Sequence, residues 1–221
     1  MPELTKAGSD TARLEAFSDG VFAIAITLLV LEIGVPDGDG SLAHRLSSQW
    51  LVYATFVVSF AVIGIMWINH HEMFRTIRTV DHGLNIANLG LLLTVSFLPY
   101  PTKVMGKELS GADFADRRTA AMFYALSFVA ISVAFNLTWW RAAKNRRLIH
   151  DDVSQRSIQA RTRRSMLGIP AYLAVTAIAA VNPEASLVAG GCLALIYLIP
   201  NRVVEQISRR SRPTAGVDAG P

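Results

Sequence analysis

The sequence predicts an all-α polytopic membrane protein with six transmembrane helices, and three observations carry that prediction. The 221 residues are 52% hydrophobic, and the apolar residues fall in blocks near membrane length separated by short charged links. Inside the blocks amphipathic periodicity is weak, as it must be for helices that face hydrocarbon, where backbone polar groups are satisfied only within a helix or a closed barrel. The basic residues are asymmetric: six crossings put both ends on one side, and 16 of the 21 Lys and Arg residues fall there. By the positive-inside rule that side is the cytoplasm, so the expectation is a multi-pass cell-membrane protein with both termini cytoplasmic.

Residues 13–33 form the first helix. It opens polar, with Arg13, Glu15, Ser18 and Asp19, and then runs apolar from 20 to 31 apart from the hydroxyl of Thr27. About a dozen apolar residues fall short of the roughly 20 that cross a bilayer, so the polar foot sits in the membrane zone or in a protein-lined crevice. Charge at that depth costs on the order of a few kcal/mol and is kept where it pairs or lines a water path; solvated interfacial Arg13 and Asp19 are the plainer alternative. Gly34 and Pro36 end the helix, and no small-residue cleavage site follows, which argues against a removed signal peptide.

The second block spans about 50–68 and closes on Asn69-His70-His71-Glu72. The third, about 84–100, carries Asn85 and Asn88 near its start and is closed by Pro99 and Pro101. The fourth, about 119–140, ends on Trp139-Trp140, a pair suited to an interface belt. The fifth and sixth, about 166–181 and 185–199, are short and joined only by Asn182-Pro183-Glu184, which predicts a tight helical hairpin. The chain thus divides into a polar, frayed cytoplasmic segment 1–12, a six-helix transmembrane domain 13–200, and a disordered basic cytoplasmic tail 201–221 containing Pro and Gly.

Several function classes are disfavoured. A net charge of +4 would suggest nucleic acid only if the basic residues formed a face of a soluble domain, and they sit in the links instead. No nucleophile elbow, phosphate loop or paired catalytic carboxylates appear, so no enzyme activity and no cofactor are expected. The single Cys192 permits no intrachain disulfide. Adjacent His70 and His71 point to different faces, which makes a poor metal site. The basic link 141–164 could meet anionic lipid, although topology already accounts for its charge.

The string Arg13-x-x-x-Phe17-Ser18-Asp19 before a long apolar run resembles the signature of the transmembrane protein 175 family of potassium channels. The resemblance is specific there and thinner elsewhere. It implies a potassium-permeable cation channel whose first helix lines the pore. Members with two copies of the six-helix unit pair as dimers; here the signature occurs once, which implies a homotetramer.

On a helix, residues three and four apart share a face, so Ile24, Thr27, Leu28 and Leu31 form one stripe. Any Leu- and Ile-rich segment contains such a stripe. The resemblance implies its role: Ile24 as the apolar constriction, Thr27 as a hydroxyl layer, and Leu28 and Leu31 as further apolar layers. An aliphatic ring gates by dewetting. With no Thr-Val-Gly-Tyr-Gly filter in the chain, selectivity for potassium over other monovalent cations should be modest. Glu32 could attract cations at the mouth, or be an ordinary interfacial glutamate.

Topology brings a second set to one membrane level: Arg13, Ser18 and Asp19 with Trp67, Asn69, His70 and His71, and with Asn85 and Asn88. Such donors suit a buried Asp and Ser, and the resemblance implies a polar network that holds the signature, its first-helix members with Phe17, Trp67, Asn69 and one histidine. Interfacial solvation is the alternative for the histidines, His82 included. Two other functions remain: a proton-coupled cation carrier using Asp19 and a histidine, or a scaffold without transport. A carrier usually shows broken helices or repeats, and neither is evident in the sequence.

Overall fold

The computed structural model describes residues 2–36 and 39–198, with side chains from 10 to 197. Those residues form α1 (Pro2–Leu31), α2 (Leu42–Ser48), α3 (Trp50–Phe74), α4 (His82–Phe97), α5 (Pro99–Glu108), α6 (Phe114–Lys144), α7 (Gln155–Met166), α8 (Gly168–Val181) and α9 (Pro183–Leu198). The starts follow capping chemistry, in which a short polar side chain accepts from an orphan N–H of the first turn. Asp81 Oδ1 accepts from Leu84 N at 2.8 Å, Asp113 Oδ1 from Ala115 N at 2.7 Å, and Ser154 Oγ from Ser157 N at 3.1 Å. In the predicted hairpin, Asn182 Oδ1 accepts from Ala185 N at 2.9 Å, and Pro183 opens α9 where a missing N–H costs nothing.

Five stretches, 10–31, 50–74, 82–108, 114–144 and 155–181, are long and apolar enough to cross a membrane, and Pro183–Tyr197 is a shorter apolar helix. Two of the five are jointed. Pro99 ends α4 because proline cannot donate into the preceding turn, and α5 continues after Leu98; α7 passes into α8 at Leu167. Both joints keep right-handed helical dihedrals, φ −58° and ψ −33° at Leu98 and φ −67° and ψ −20° at Leu167. The helices are therefore interrupted, contrary to the sequence reading, but their backbone is not unwound into carbonyl ligands. Three further differences concern the links. The helix of the first block begins at Pro2, so segment 1–12 is helical where described; α2 lies in a loop; and α7 is cut from what reads as a polar link. Residues 199–221, with the basic tail, lie outside the described residues.

The long α6 is the spine, packed against α4, α5, α7, α8 and α9, while α1 lies against α3, α4 and α5. The main core joins Phe22, Ala25 and Leu29 of α1 to Ile63 of α3, Leu91 and Val95 of α4, and Phe128 of α6. Between membrane helices such contacts act through close packing and not through expulsion of water. Buried hydroxyls pin the core: Ser59 Oγ lies 2.9 Å from Thr102 Oγ1 and 2.7 Å from Tyr124 Oη, joining α3, α5 and α6.

A second core, at the end of the bundle shared by the foot of α1 and the end of α9, gathers Met73, Phe74, Leu84, Trp139, Ile149 and Ile158. The Trp pair is split. Trp139 is buried there and donates from Nε1 to Thr162 Oγ1 at 2.8 Å. Trp140 alone faces outward, with Lys144 Nζ 4.8 Å from its ring, because neighbours on a helix point about 100° apart.

Candidate functional site

α1 divides along its length into two faces. Phe22, Ala25 and Leu29 enter the core, Leu29 at 0% exposure. Ile24, at 60%, and Leu31, at 73%, point out of the protomer with Phe17 and Leu28; Thr27 is exposed between them. The Thr27 hydroxyl donates to the Ile24 carbonyl at 2.9 Å. With its proton turned to the backbone, Thr27 Oγ1 offers lone pairs outward. The exposed face is thus an apolar stripe carrying one outward acceptor oxygen.

At the foot the geometry separates residues that the sequence reading grouped. Ser18 is buried, donates from Oγ to Leu14 O at 2.8 Å, and accepts from Asn88 Nδ2 at 2.9 Å. Asn88 Oδ1 lies 2.9 Å from His70 Nε2. Since Asn88 spends its amide hydrogens toward Ser18, its carbonyl must accept, and His70 carries its proton on Nε2. His70 Nδ1 is left without a hydrogen-bond partner, and the ring is stacked on Phe74 at 4.4 Å and tilted against Phe22 at 5.3 Å. Beside this chain, Trp67 Nε1 donates to Asp19 Oδ1 at 2.8 Å. Asp19 is therefore tied to α3, and Ser18 to α4.

Other members stand apart. Asn69 donates to Ile65 O at 2.9 Å, within its own helix, and borders a cavity on the far side of α3. Arg13 and Phe17 are exposed on the outward stripe. Asn85 is half-buried, and its Oδ1 has no hydrogen-bond partner among the described residues. His71 Nδ1 lies 2.8 Å from Glu15 Oε1, with its ring stacked on Trp67, while His82 is exposed. Glu32 Oε2 lies 2.8 Å from Lys103 Nζ, so its charge is offset and not presented alone at a mouth. Among the described residues no group of three His, Cys, Asp or Glu side chains is placed to hold a metal ion.

The contacts that the sequence reading missed include Glu15 with His71, Glu32 with Lys103, and Asp81 with the Arg141 guanidinium. The third had a signal in Asp81-His82-Gly83 before an apolar run, a capping residue followed by a glycine. A Cβ at Gly83 would collide with the Arg141 side chain.

The family model described as "Endosomal/lysosomal potassium channel TMEM175" matches residues 13–99. A protein from Streptomyces collinus named as a potassium channel is 44% identical over 191 residues, covering 86% of this chain and 92% of that one. The chain belongs to the TMEM175 family. The crystal structure of a lysosomal potassium-selective channel TMEM175 homolog from Chamaesiphon minutus superposes with a TM-score of 0.77 at 38% identity, covering 86% of this chain and 96% of that one. The human protein named endosomal/lysosomal proton channel TMEM175 is 38% identical over 97 residues, covering 39% of this chain and 19% of its own. The stretch matched by the TMEM175 model contains the outward stripe and both ties of the foot, since it reaches through α3 and α4; α6 to α9 lie beyond it.

Proposed function

We propose that this chain forms a potassium-permeable cation channel of modest selectivity, built as a homotetramer in the cell membrane with both termini cytoplasmic, whose conduction path is lined by the outward face of α1. The observation that carries the reading is that α1 buries Phe22, Ala25 and Leu29 while leaving Ile24 and Leu31 uncovered by the rest of the protomer. Four such faces around an axis give rings of aliphatic side chains at Ile24, Leu28 and Leu31, a dry barrier to a hydrated ion. The Thr27 oxygens, with protons committed to the Ile24 carbonyl, offer a passing monovalent cation weak partial charges in place of a carbonyl cage. The TMEM175 relatives named as potassium channels support this ion class, and the family supports a channel over an enzyme.

The carrier alternative has less behind it. Asp19 and His70 are each hydrogen-bonded to a neutral side chain, Trp67 and Asn88, and not to one another, and the helical backbone at Leu98 and Leu167 supplies no unwound ion site.

Planar-bilayer recording tests the reading. Wild type is expected to give unitary potassium currents, and Ile24→Asn, which wets the ring, to raise their conductance. Electroneutral cation–proton exchange without unitary events would replace the channel by a carrier; an absence of both would leave a scaffold. Proton gradients imposed in the same recordings measure proton passage, the property in the human relative's name.

A further inference from the structure

On the face of the bundle away from the α1 stripe lies a cavity of about 100 Å³ between α3, α6, α7, α8 and α9. Its lining changes with depth. Along α3, α6 and α9 the later residues lie nearer the end that carries the foot of α1, and there the lining is polar and basic: Asn69, Asn136, Arg161, Arg164 and Ser165. Deeper it is mostly apolar, with Val62, Ile131, Ala194 and the ring of Tyr172.

The two guanidiniums are held in place. Arg161 lies over the Trp139 ring at 5.3 Å, and among the described residues no hydrogen-bond acceptor meets its N–H groups. Arg164 Nη2 donates to Tyr197 O at 3.0 Å, which ties α7 to the end of α9. Asn136 bridges the Ser132 and Ser165 carbonyls at 2.8 and 2.9 Å. Gly168 keeps the cavity open at its joint, since a Cβ there would meet Tyr197 Oη at 3.2 Å and overlap Ser132 Oγ.

We propose that this cavity binds an anionic phospholipid, with a phosphate oxygen accepting from Arg161. A basic rim over an apolar interior, at one end of a membrane bundle, is the chemistry that selects such a lipid. A free anion would leave water for a pocket whose deeper wall, mostly aliphatic, returns few hydrogen bonds, an unfavourable exchange. A lipid brings apolar matter for that wall. The cavity takes a phosphate or a short length of chain, and the rest of the lipid lies along the outer surface where Ile68, Leu195 and Ile196 are exposed. The site is independent of whether the chain conducts. Being partly walled by α3, it adjoins the helix whose Trp67 holds Asp19.

Native mass spectrometry of the full chain, delipidated and then offered phosphatidylglycerol or phosphatidylcholine, tests the proposal. Wild type is expected to retain phosphatidylglycerol in preference, and equal retention of the two lipids would overturn it. Arg161→Gln should weaken that retention about fivefold, the worth of one basic group near an anionic surface, and more than Arg163→Gln, which removes the same charge from an exposed position of the same helix. Ser165→Leu narrows the cavity without changing charge and should also weaken it. Retention unchanged by Ser165→Leu, with equal losses in the two arginine variants, would mean general surface attraction. Thermal stabilisation by inorganic phosphate equal to that by phosphatidylglycerol would mean a small-anion site, and either result would sink the lipid assignment.

Discussion

Asn88 Nδ2 donates to Ser18 Oγ at 2.9 Å, and both side chains are wholly buried. This bond fastens α4 to α1 at the point where the apolar run begins, and it fixes the orientation of the Asn88 amide on which His70 depends. Replacing Asn88 by Leu strands His70 Nε2 at about 1 to 3 kcal/mol and removes the donor to Ser18 Oγ, which keeps its bond to Leu14 O. Since 1 kcal/mol moves the melting temperature of a domain of 150 to 250 residues by about 2 to 4 °C, Asn88→Leu is expected to melt several degrees lower in detergent. An unchanged melting temperature would mean that the network holds nothing.

The Trp67–Asp19 bond makes a separate prediction. Trp67→Phe removes the donor and Asp19→Ala the acceptor, so each should weaken the folded oligomer, while the double variant should lose less than the two together. Residues in contact couple by about 0.5 to 3 kcal/mol in such cycles. Melting curves and size-exclusion profiles of the four proteins measure it; strict additivity would show two independent sites.

The two faces of α1 predict opposite phenotypes for adjacent positions. Leu29→Asn places an amide in the core and forfeits the packing of a buried leucine, a loss of about 2 to 5 kcal/mol in truncation series; the yield of folded protein should fall. Val30 is exposed and, at about 100° per residue, some 120° from Ile24, so Val30→Asn should fold and conduct as wild type. Thr27→Ala should keep the pore open and change the reversal potential under mixed potassium and sodium. Currents that respond to Val30→Asn as much as to Ile24→Asn would show that the lining face is misassigned.

Charge asymmetry predicts that Ser154, exposed at the start of α7, faces the cytoplasm and Ser110, exposed beyond α5, the outside. With the exposed Cys192 replaced by Ala, Ser110→Cys should react with an impermeant thiol reagent on intact cells and Ser154→Cys should not. The reverse labelling would invert the topology.

Hydropathy made the apolar blocks legible because lipid-facing helices need little beyond length and composition. Their joints were less so: Pro99 marks a break plainly, whereas nothing at Leu167 distinguishes a bent helix from a loop followed by a helix, and α7 has only Ile158 buried to betray it. At the foot, Ser18, Asp19, Trp67 and Asn88 could be grouped by membrane level alone. Choosing between His70 and His71 could not be done that way, because adjacent helical positions occupy the same level and differ only in the direction they face. The same ambiguity hid the burial of Trp139. Long-range ion pairs such as Glu32 with Lys103 depend on how two helices lean, which no local pattern records.

That last pair gives α1 a mechanical character. The apolar half of the helix, from residue 18 on, is fastened at its start by Ser18 and Asp19 and just past its finish by Glu32, with Ile24 and Thr27 in the span between. A beam held at both ends cannot swing like a door unless one tether lets go; it can bow at mid-span or turn slightly about its long axis with both intact. Small displacements at Ile24 therefore need no broken contact, whereas a wide sweep of the whole helix must first release Lys103 or Trp67.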